Sequence, residues 1–193
     1  MQSLCVFCGS NGGKNPVYRS AAYAVGKLLA ERDIELIYGA GNVGLMGTLA
    51  DAALEHGGRV VGVIPQFLME KEVGHTGLSE LIVTDTMHQR KQIMSDRAEG
   101  FLAMPGGFGT LDEVCEILTW AQLGLHQDPV GLLNVEGYYT GLGGFFDHIV
   151  TEGFLSQANR NMVFMHEDVS TLLQQMDGYQ PPATEKWLDN AQV

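Results

Sequence analysis

Short runs of apolar residues alternate along the chain with longer segments whose apolar residues recur at helical spacing. The first run, residues 4–7, ends at a glycine-rich stretch, and residues 16–31 then carry an apolar side chain every three or four positions. By this criterion strands are predicted at residues 4–7, 34–38, 59–64, 81–84, 101–103, 129–135 and 162–165. Helices are predicted at residues 16–31, 45–56, 87–97, 110–123, 138–152 and 168–176.

The predicted strands are apolar on both faces, which is typical of a parallel sheet covered by helices on both sides. We therefore expect an α/β fold: a Rossmann-like, doubly wound parallel sheet flanked by helices in three α/β/α layers. Residues 1–179 are expected to form a single nucleotide-binding domain, and residues 180–193 a surface tail. Residues 66–77 are polar and mixed, and a mobile loop is predicted there.

Residues 104–113 read Met-Pro-Gly-Gly-Phe-Gly-Thr-Leu-Asp-Glu and directly follow an apolar run. This order predicts a strand, a tight loop and the start of a helix. Glycines let the chain approach a ligand closely, and free amides at the positive end of a helix dipole favour an anion, most often phosphate. We expect the amides of residues 106–110 to hold a phosphate group.

Two further glycine loops follow predicted strands, at residues 8–13 and 39–44, so that all three are expected at the carboxyl edge of the sheet. The second contains the Gly-x-Gly-x-x-Gly pattern of dinucleotide sites. The acid that should follow about 20 residues later is missing, since residues 64–66 are Ile-Pro-Gln. A mononucleotide site is therefore favoured, and an NAD-dependent oxidoreductase is kept as an alternative.

Thr110 and Glu113 admit two interpretations. Thr-x-x-Glu is the capping box of a helix N-terminus, and capping alone would account for both residues. A cap does not require the preceding proline and glycines, however, and a carboxylate one turn into the helix can meet the sugar of a bound nucleotide. We favour a ligand-binding function for Glu113, both roles for Thr110, and a solvent-facing position for Asp112.

Cations are scarce, with 11 Lys and Arg against 23 Asp and Glu and a formal net charge of -12. This balance argues against nucleic acid and anionic membranes as partners, because both need a basic surface. Arg90 and Lys91 are either part of a solvated helical face or ligands of an anionic substrate. Side-chain chemistry alone favours neither interpretation.

Three cysteines and no secretory signal predict a cytoplasmic protein. Cys5 and Cys8 are spaced to lie on opposite faces of a strand, so buried thiols are expected and not a redox pair. The sequence contains no P-loop motif, no metal-ligand spacing and no apolar stretch long enough to span a bilayer. Neither a metal nor another cofactor is expected.

The motif Met87-His-x-Arg90-Lys91, followed by Pro105-Gly-Gly-x-Gly-Thr-x-x-Glu113, resembles the LOG family, the cytokinin riboside 5'-monophosphate phosphoribohydrolases. The resemblance extends over nearly the whole chain, up to about residue 179. It implies a homodimer that hydrolyses the N-glycosidic bond of a purine nucleoside 5'-monophosphate. The products would be the free base and ribose 5-phosphate.

The resemblance also implies that Arg90 and Glu113 are catalytic. A carboxylate near C1' can stabilise oxocarbenium charge, orient the ribose hydroxyls or activate water, and Arg90 can hold the phosphate or the leaving base. The Gly-Tyr-Tyr sequence at residues 137–139 belongs to the resemblance without an assigned role. The residues expected to bind substrate are Ser10, Gly39, Gly41, Met87, Lys91, Pro105, Gly106, Gly107, Phe108, Gly109 and Thr110.

Alternative functions within this resemblance remain open. The substrate is either unmodified AMP or a nucleotide with a prenylated adenine, and a non-catalytic carrier of a phosphorylated ligand such as molybdenum cofactor is a further alternative. Family members also carry an old label of lysine decarboxylase. That chemistry needs a pyridoxal Schiff-base lysine and a larger fold, whereas Lys91 is the only lysine in the motifs.

Overall fold

The computed structural model describes residues 1–72 and 74–182, and its strands follow the predicted apolar runs to within a few residues. The strands are β1 (Ser3–Phe7), β2 (Glu35–Tyr38), β3 (Val60–Pro65), β4 (Glu80–Thr84), β5 (Phe101–Ala103), β6 (Val130–Leu133) and β7 (Val163–His166). The helices are α1 (Val17–Glu31), α2 (Gly44–Glu55), α3 (Gln66–Glu72), α4 (Met87–Arg97), α5 (Phe108–Gln122), α6 (Thr140–Thr151), α7 (Gln157–Arg160) and α8 (Val169–Asp177).

The seven strands form one sheet in the order β4-β3-β2-β1-β5-β6-β7, and every pair is parallel. The predicted doubly wound α/β fold is confirmed. The strand order reverses between β1 and β5, where Val6 pairs with Leu102. In such sheets ligands bind beyond the carboxyl ends of the strands at this switch point. The loop after β1 and the loop after β5 therefore flank the expected binding crevice.

Helices cover both faces of the sheet, as the apolar strands require. One face packs buried residues of α1, α2 and α8, and the other packs buried residues of α4 and α5 together with Leu142 and Phe146 of α6. Cys5 and Cys8 lie on these opposite faces, both buried, which confirms the expectation of separate structural thiols. Among the helices described here, none has both the length and the apolar character needed to cross a membrane.

The segment predicted as a mobile loop, residues 66–77, is partly helical. Residues 66–72 form α3, and Gly74 then makes an antiparallel bridge to Gly41 in the loop after β2. The His75 N–H donates to the Ala40 carbonyl at 3.1 Å, so this segment is attached to a glycine loop of the expected site. Most of the predicted tail, residues 183–193, lies outside the described residues.

Candidate functional site

The three glycine loops are joined by backbone hydrogen bonds at the switch point. The Gly9 N–H donates to the Pro105 carbonyl at 3.0 Å, and the Leu45 N–H donates to the Gly9 carbonyl at 3.1 Å. Gly44 adopts a positive φ of 68° directly against the backbone of Ser10, where any side chain would collide. The expected convergence of these loops is confirmed.

The loop after β5 ends in a helix that begins earlier than predicted. Helix α5 starts at Phe108, its N-cap is Gly107, and no side chain caps it. The capping-box interpretation of Thr110 and Glu113 is therefore wrong, because both residues lie inside the helix. Thr110 is buried instead, with its hydroxyl packed against the position that a side chain of Gly106 would occupy.

The nearly buried side chains of Arg90 and Glu113 meet beside these loops. Arg90 Nη2 lies 3.6 Å from Glu113 Oε1, and the two side chains are only 10% and 12% exposed. The interpretation of Arg90 as part of a solvated face is thus wrong. Its guanidinium occupies the place where a side chain at Gly39 would stand, and Nη1 donates to Met87 Sδ at 3.8 Å. Arg90 Nε is buried with no hydrogen-bond partner among the described residues.

Burial dominates the electrostatics of Glu113. Its pKa is raised from 4.5 to about 7, chiefly by desolvation; Arg90 and Lys91 oppose this rise, and the neighbouring Asp112 and Glu116 add to it. A carboxyl group with this pKa exchanges a proton near neutral pH, which is typical of catalytic acids and bases.

Lys91 has its own carboxylate partners on α5. Its Nζ lies 2.8 Å from Glu116 Oε2 and 3.3 Å from Asp112 Oδ2, so α4 and α5 are joined by two adjacent ion-paired clusters. Asp112 is exposed as expected but is paired with this lysine. Burial alone would lower the pKa of Lys91, but its hydrogen bonds and charge interactions with Glu116 and Asp112 outweigh burial and raise it. The Lys91 side chain is therefore held as an ammonium ion.

The other expected binding residues differ in how open they are. Ser10 and Phe108 are exposed, Phe108 by 91%, and no atom lies within 4 Å of where a Cβ of Gly107 or Gly109 would be. Gly41 is buried, and its missing side chain makes room for Met46. Gly107 and Gly109 thus border open space, whereas Gly39 and Gly41 border protein side chains.

Two tyrosines from the turn before α6 hold the loop after β5, and the sequence patterns assigned them no role. Tyr139 Oη donates to the Met104 carbonyl at 2.7 Å, and Tyr138 Oη donates to the Gly106 carbonyl at 2.6 Å. The one available signal was their place in the Gly-Tyr-Tyr sequence at residues 137–139. In the part of the chain that the structure describes, no cluster of three or more His, Cys, Asp or Glu residues could hold a metal ion.

The fold is shared with proteins named for a different function. A molybdenum cofactor carrier protein from Chlamydomonas reinhardtii superposes with a TM-score of 0.69 at 22% identity, over 91% of this chain and 97% of its own. The molybdenum cofactor binding protein from Rippkaea orientalis gives a TM-score of 0.66 at 22% identity, over 92% and 97% of the two chains. At this level of identity the similarity concerns the fold alone.

Sequence comparison is more specific. A family described as "Possible lysine decarboxylase" matches residues 46–176. The cytokinin riboside 5'-monophosphate phosphoribohydrolase LOG7 of Arabidopsis thaliana is 49% identical over 94% of this chain and 84% of its own. The probable phosphoribohydrolase LOGL9 of Oryza sativa subsp. japonica is 47% identical over 92% and 78%. The chain thus belongs to the family of LOG phosphoribohydrolases, whose family-wide description is possible lysine decarboxylase.

Proposed function

We propose that the protein hydrolyses the N-glycosidic bond of cytokinin-type purine nucleoside 5'-monophosphates to the free base and ribose 5-phosphate. The observation that carries this proposal is the buried pair of Arg90 and Glu113 beside the glycine loop after β5, at the sheet's switch point. The names of relatives that are 49% and 47% identical to this chain support the same reaction and substrate class. The proposed catalytic domain comprises residues 1–179, in the cytoplasm.

In this proposal the phosphate binds to the amides of residues 106–110. Gly107 and Gly109 leave the approach open, and the N-terminal amides of α5 have no acceptor within the helix. Ser10, Gly39, Gly41, Met87 and Lys91 complete the proposed binding residues around the three loops. The substrate is thus held by local amides in a protein whose net charge is -12.

Glu113 is the proposed group at the sugar. Breaking the bond from C1' to the base nitrogen leaves positive charge on the ribose ring, and a nearby carboxylate stabilises that charge. The attacking water gives its oxygen to C1', and the leaving base takes up a proton. A carboxyl group with a pKa of about 7 can accept the proton of the water or orient the ribose hydroxyls.

Arg90 is proposed to bind the substrate as well as to lower the pKa of Glu113. Its guanidinium sits in the space that Gly39 leaves, next to the loop after β2. Within the described residues this guanidinium contacts Glu113 and the weak acceptor Met87 Sδ, which leaves donor capacity for a phosphate or a leaving base.

Substitution of Glu113 by Gln tests the catalytic assignment. Turnover is expected to fall by about 1000-fold or more, whereas the affinity for the nucleotide should change by less than about fivefold. Release of free base from AMP and from isopentenyladenosine monophosphate is measured by chromatography, and binding by calorimetry.

Glu31→Gln is the matched control, because Glu31 is an exposed residue at the end of α1 that pairs only with Lys27 among the described residues. It should retain full turnover. Intact nucleotide after incubation of the unmodified protein with both substrates would reject the proposed reaction. The ratio of turnover rates for the two nucleotides also decides between AMP and the prenylated substrate.

Lysine decarboxylation is not supported by the site. A Schiff-base lysine must lose its proton to attack a carbonyl, whereas the carboxylates of Asp112 and Glu116 raise the pKa of Lys91 and keep it charged. The alternative of a non-catalytic carrier has only a shared fold behind it, since the two molybdenum cofactor proteins are 22% identical to this chain. A pterin absorbance in the purified protein would favour the carrier function.

We further propose that the protein is a homodimer. The family resemblance implies a dimer, and exposed apolar side chains such as Phe145, 56% exposed, and Phe154, 85% exposed, are available to contact a partner chain. Light scattering at micromolar concentration should give a mass near twice 21.0 kDa. A mass of one chain would contradict the dimer and leave the proposed reaction unaffected.

A further inference from the structure

Every backbone carbonyl from Met104 to Gly107 is engaged by a donor. Tyr139 Oη donates to the Met104 carbonyl at 2.7 Å, and the Gly9 N–H donates to the Pro105 carbonyl at 3.0 Å. Tyr138 Oη donates to the Gly106 carbonyl at 2.6 Å. The Gly107 carbonyl accepts from the Leu111 N–H at 3.2 Å, in the first turn of α5. A loop that binds an anion must turn its carbonyl oxygens away from it, and here each oxygen is held by the protein.

We propose that the hydroxyl of Tyr138 is a positioning group that orients the peptide between Gly106 and Gly107 so that the Gly107 N–H faces the substrate phosphate. In a planar trans peptide the C=O and N–H point in opposite directions, so fixing the Gly106 oxygen fixes the direction of the Gly107 N–H. This inference rests on the proposed function, since it assigns the loop to a phosphorylated substrate.

The peptide needs such a restraint because both of its residues are glycine. Gly107 borders open space, with no atom within 4 Å of where its Cβ would be, so no packing on that side holds the peptide, whereas Gly106 is packed against Thr110. Rotation would aim the Gly106 oxygen at the phosphate and lose one amide donor. The short hydrogen bond from Tyr138 opposes that rotation.

Local structure holds Tyr138 in place for this role. Glu136 and Gly137 both adopt positive φ angles, of 51° and 72°, and turn the chain toward the loop. The Tyr138 ring then packs edge-on against Tyr18 and Tyr139, with centroid distances of 5.8 and 5.1 Å. Because the ring has these partners, removing the hydroxyl alone should leave the side chain where it is.

Tyr138→Phe is the test. The dissociation constants of AMP and ribose 5-phosphate should rise about tenfold, and the constant for adenosine, which lacks the phosphate, should stay the same. KM should rise by a similar factor with little change in kcat. The melting temperature should move by about 3 °C or less, since Tyr138 is 44% exposed. Calorimetry with each of the three ligands distinguishes a loss of affinity for the phosphate group from a general loss of affinity.

Tyr23→Phe is the matched control, because Tyr23 Oη donates to Glu55 at 3.1 Å on the surface, and these residues lie within α1 and at the last residue of α2, outside the three glycine loops. It should change none of these constants. Gly107→Pro removes the N–H itself, at a backbone φ of -94° that lies about 15° beyond the usual range of proline. If Tyr138 acts through this N–H, adding Tyr138→Phe to Gly107→Pro should cause no further loss of AMP affinity.

The inference is overturned if Tyr138→Phe binds AMP and ribose 5-phosphate normally, or if it loses affinity for adenosine and AMP equally. An additive loss in the double variant would likewise overturn it, because the hydroxyl would then act on the ligand directly. Should the unmodified protein bind AMP but release no base, the proposed reaction fails while these binding constants still decide the role of Tyr138.

Discussion

At the scale of single residues, the charge of Glu113 is set mainly by its burial. Desolvation raises its pKa from 4.5 to about 7 even though Arg90 lies 3.6 Å away. Between pH 4.5 and about pH 7 the folded protein binds more protons at Glu113 than the unfolded chain does. The free energy of unfolding must therefore fall as pH rises through this range. The stability contributed by the protonated form is full below about pH 4.5 and lost above pH 7.

Glu113→Gln should remove this pH dependence. A difference of about 2.5 pKa units corresponds to about 3 kcal/mol, so the stability of the variant relative to the unmodified protein should increase by up to that amount between pH 4 and pH 8. Urea unfolding at both pH values measures the difference. If the difference in unfolding free energy between the two proteins does not change with pH, Glu113 keeps an ordinary pKa in the folded protein.

Single-residue roles were predicted from sequence only where the chemistry is local. The open glycines at 107 and 109 follow from the loop motif, but the burial of Arg90 depends on a missing side chain at Gly39, which is distant in sequence. The prediction that Thr110 caps α5 was wrong because the helix starts at Phe108, where no side chain forms a capping hydrogen bond. The role of Tyr138 depends on a tertiary hydrogen bond, which periodicity cannot reveal.

At the scale of secondary-structure elements, the first turn of α5 combines helix formation with ligand access. Gly109 lies one turn before Glu113 on the same face of the helix. Gly109→Ala should stabilise the helix by about 0.5 to 1 kcal/mol, because alanine is the better helix former and meets no protein atom there. The added methyl group enters the proposed phosphate space, so kcat/KM should fall about tenfold or more.

Gly144→Ala is the control for this substitution. Gly144 lies within α6 with no atom near its Cβ position, and α6 contributes none of the proposed catalytic or binding residues. It should raise the unfolding free energy without altering kcat/KM. Both values are obtained from urea unfolding and steady-state assays of the two variants. Full activity in Gly109→Ala would mean that the substrate does not occupy the space in front of this glycine.

The elements themselves were largely predictable. Largely apolar runs of three to seven residues marked all the strands of the described sheet, because its inner strands are buried on both faces and its edge strands β4 and β7 still bury part of their side chains. Helix α3 was missed because seven residues are too few to show a helical period. The composition of residues 66–72, Gln-Phe-Leu-Met-Glu-Lys-Glu, is nonetheless rich in good helix formers.

At the scale of the whole molecule, strand order brings distant segments of the chain together. The sequence predicted that glycine loops lie at one edge of the sheet, and the structure places β1 between β2 and β5 so that their loops are neighbours. Helix α4 carries Arg90 to the same edge from the connection between β4 and β5. Periodicity predicts the elements of such a fold but not the order of its strands, which depends on contacts between segments far apart in sequence.

Because Arg90 occupies the space that Gly39 leaves, the residues that evolution can accept at position 39 depend on whether Arg90 is present. Gly39→Ala alone should displace the guanidinium, costing about 1 to 3 kcal/mol of stability and most of the activity. In a background that already carries Arg90→Ala, the same change should cost less than about 0.5 kcal/mol, as a double-mutant cycle of unfolding free energies can show. Equal costs in both backgrounds would contradict the link. A descendant that retains Arg90 must therefore keep glycine at position 39. A descendant that loses Arg90 can accept a larger residue at position 39, and that residue would then prevent arginine from being restored at position 90.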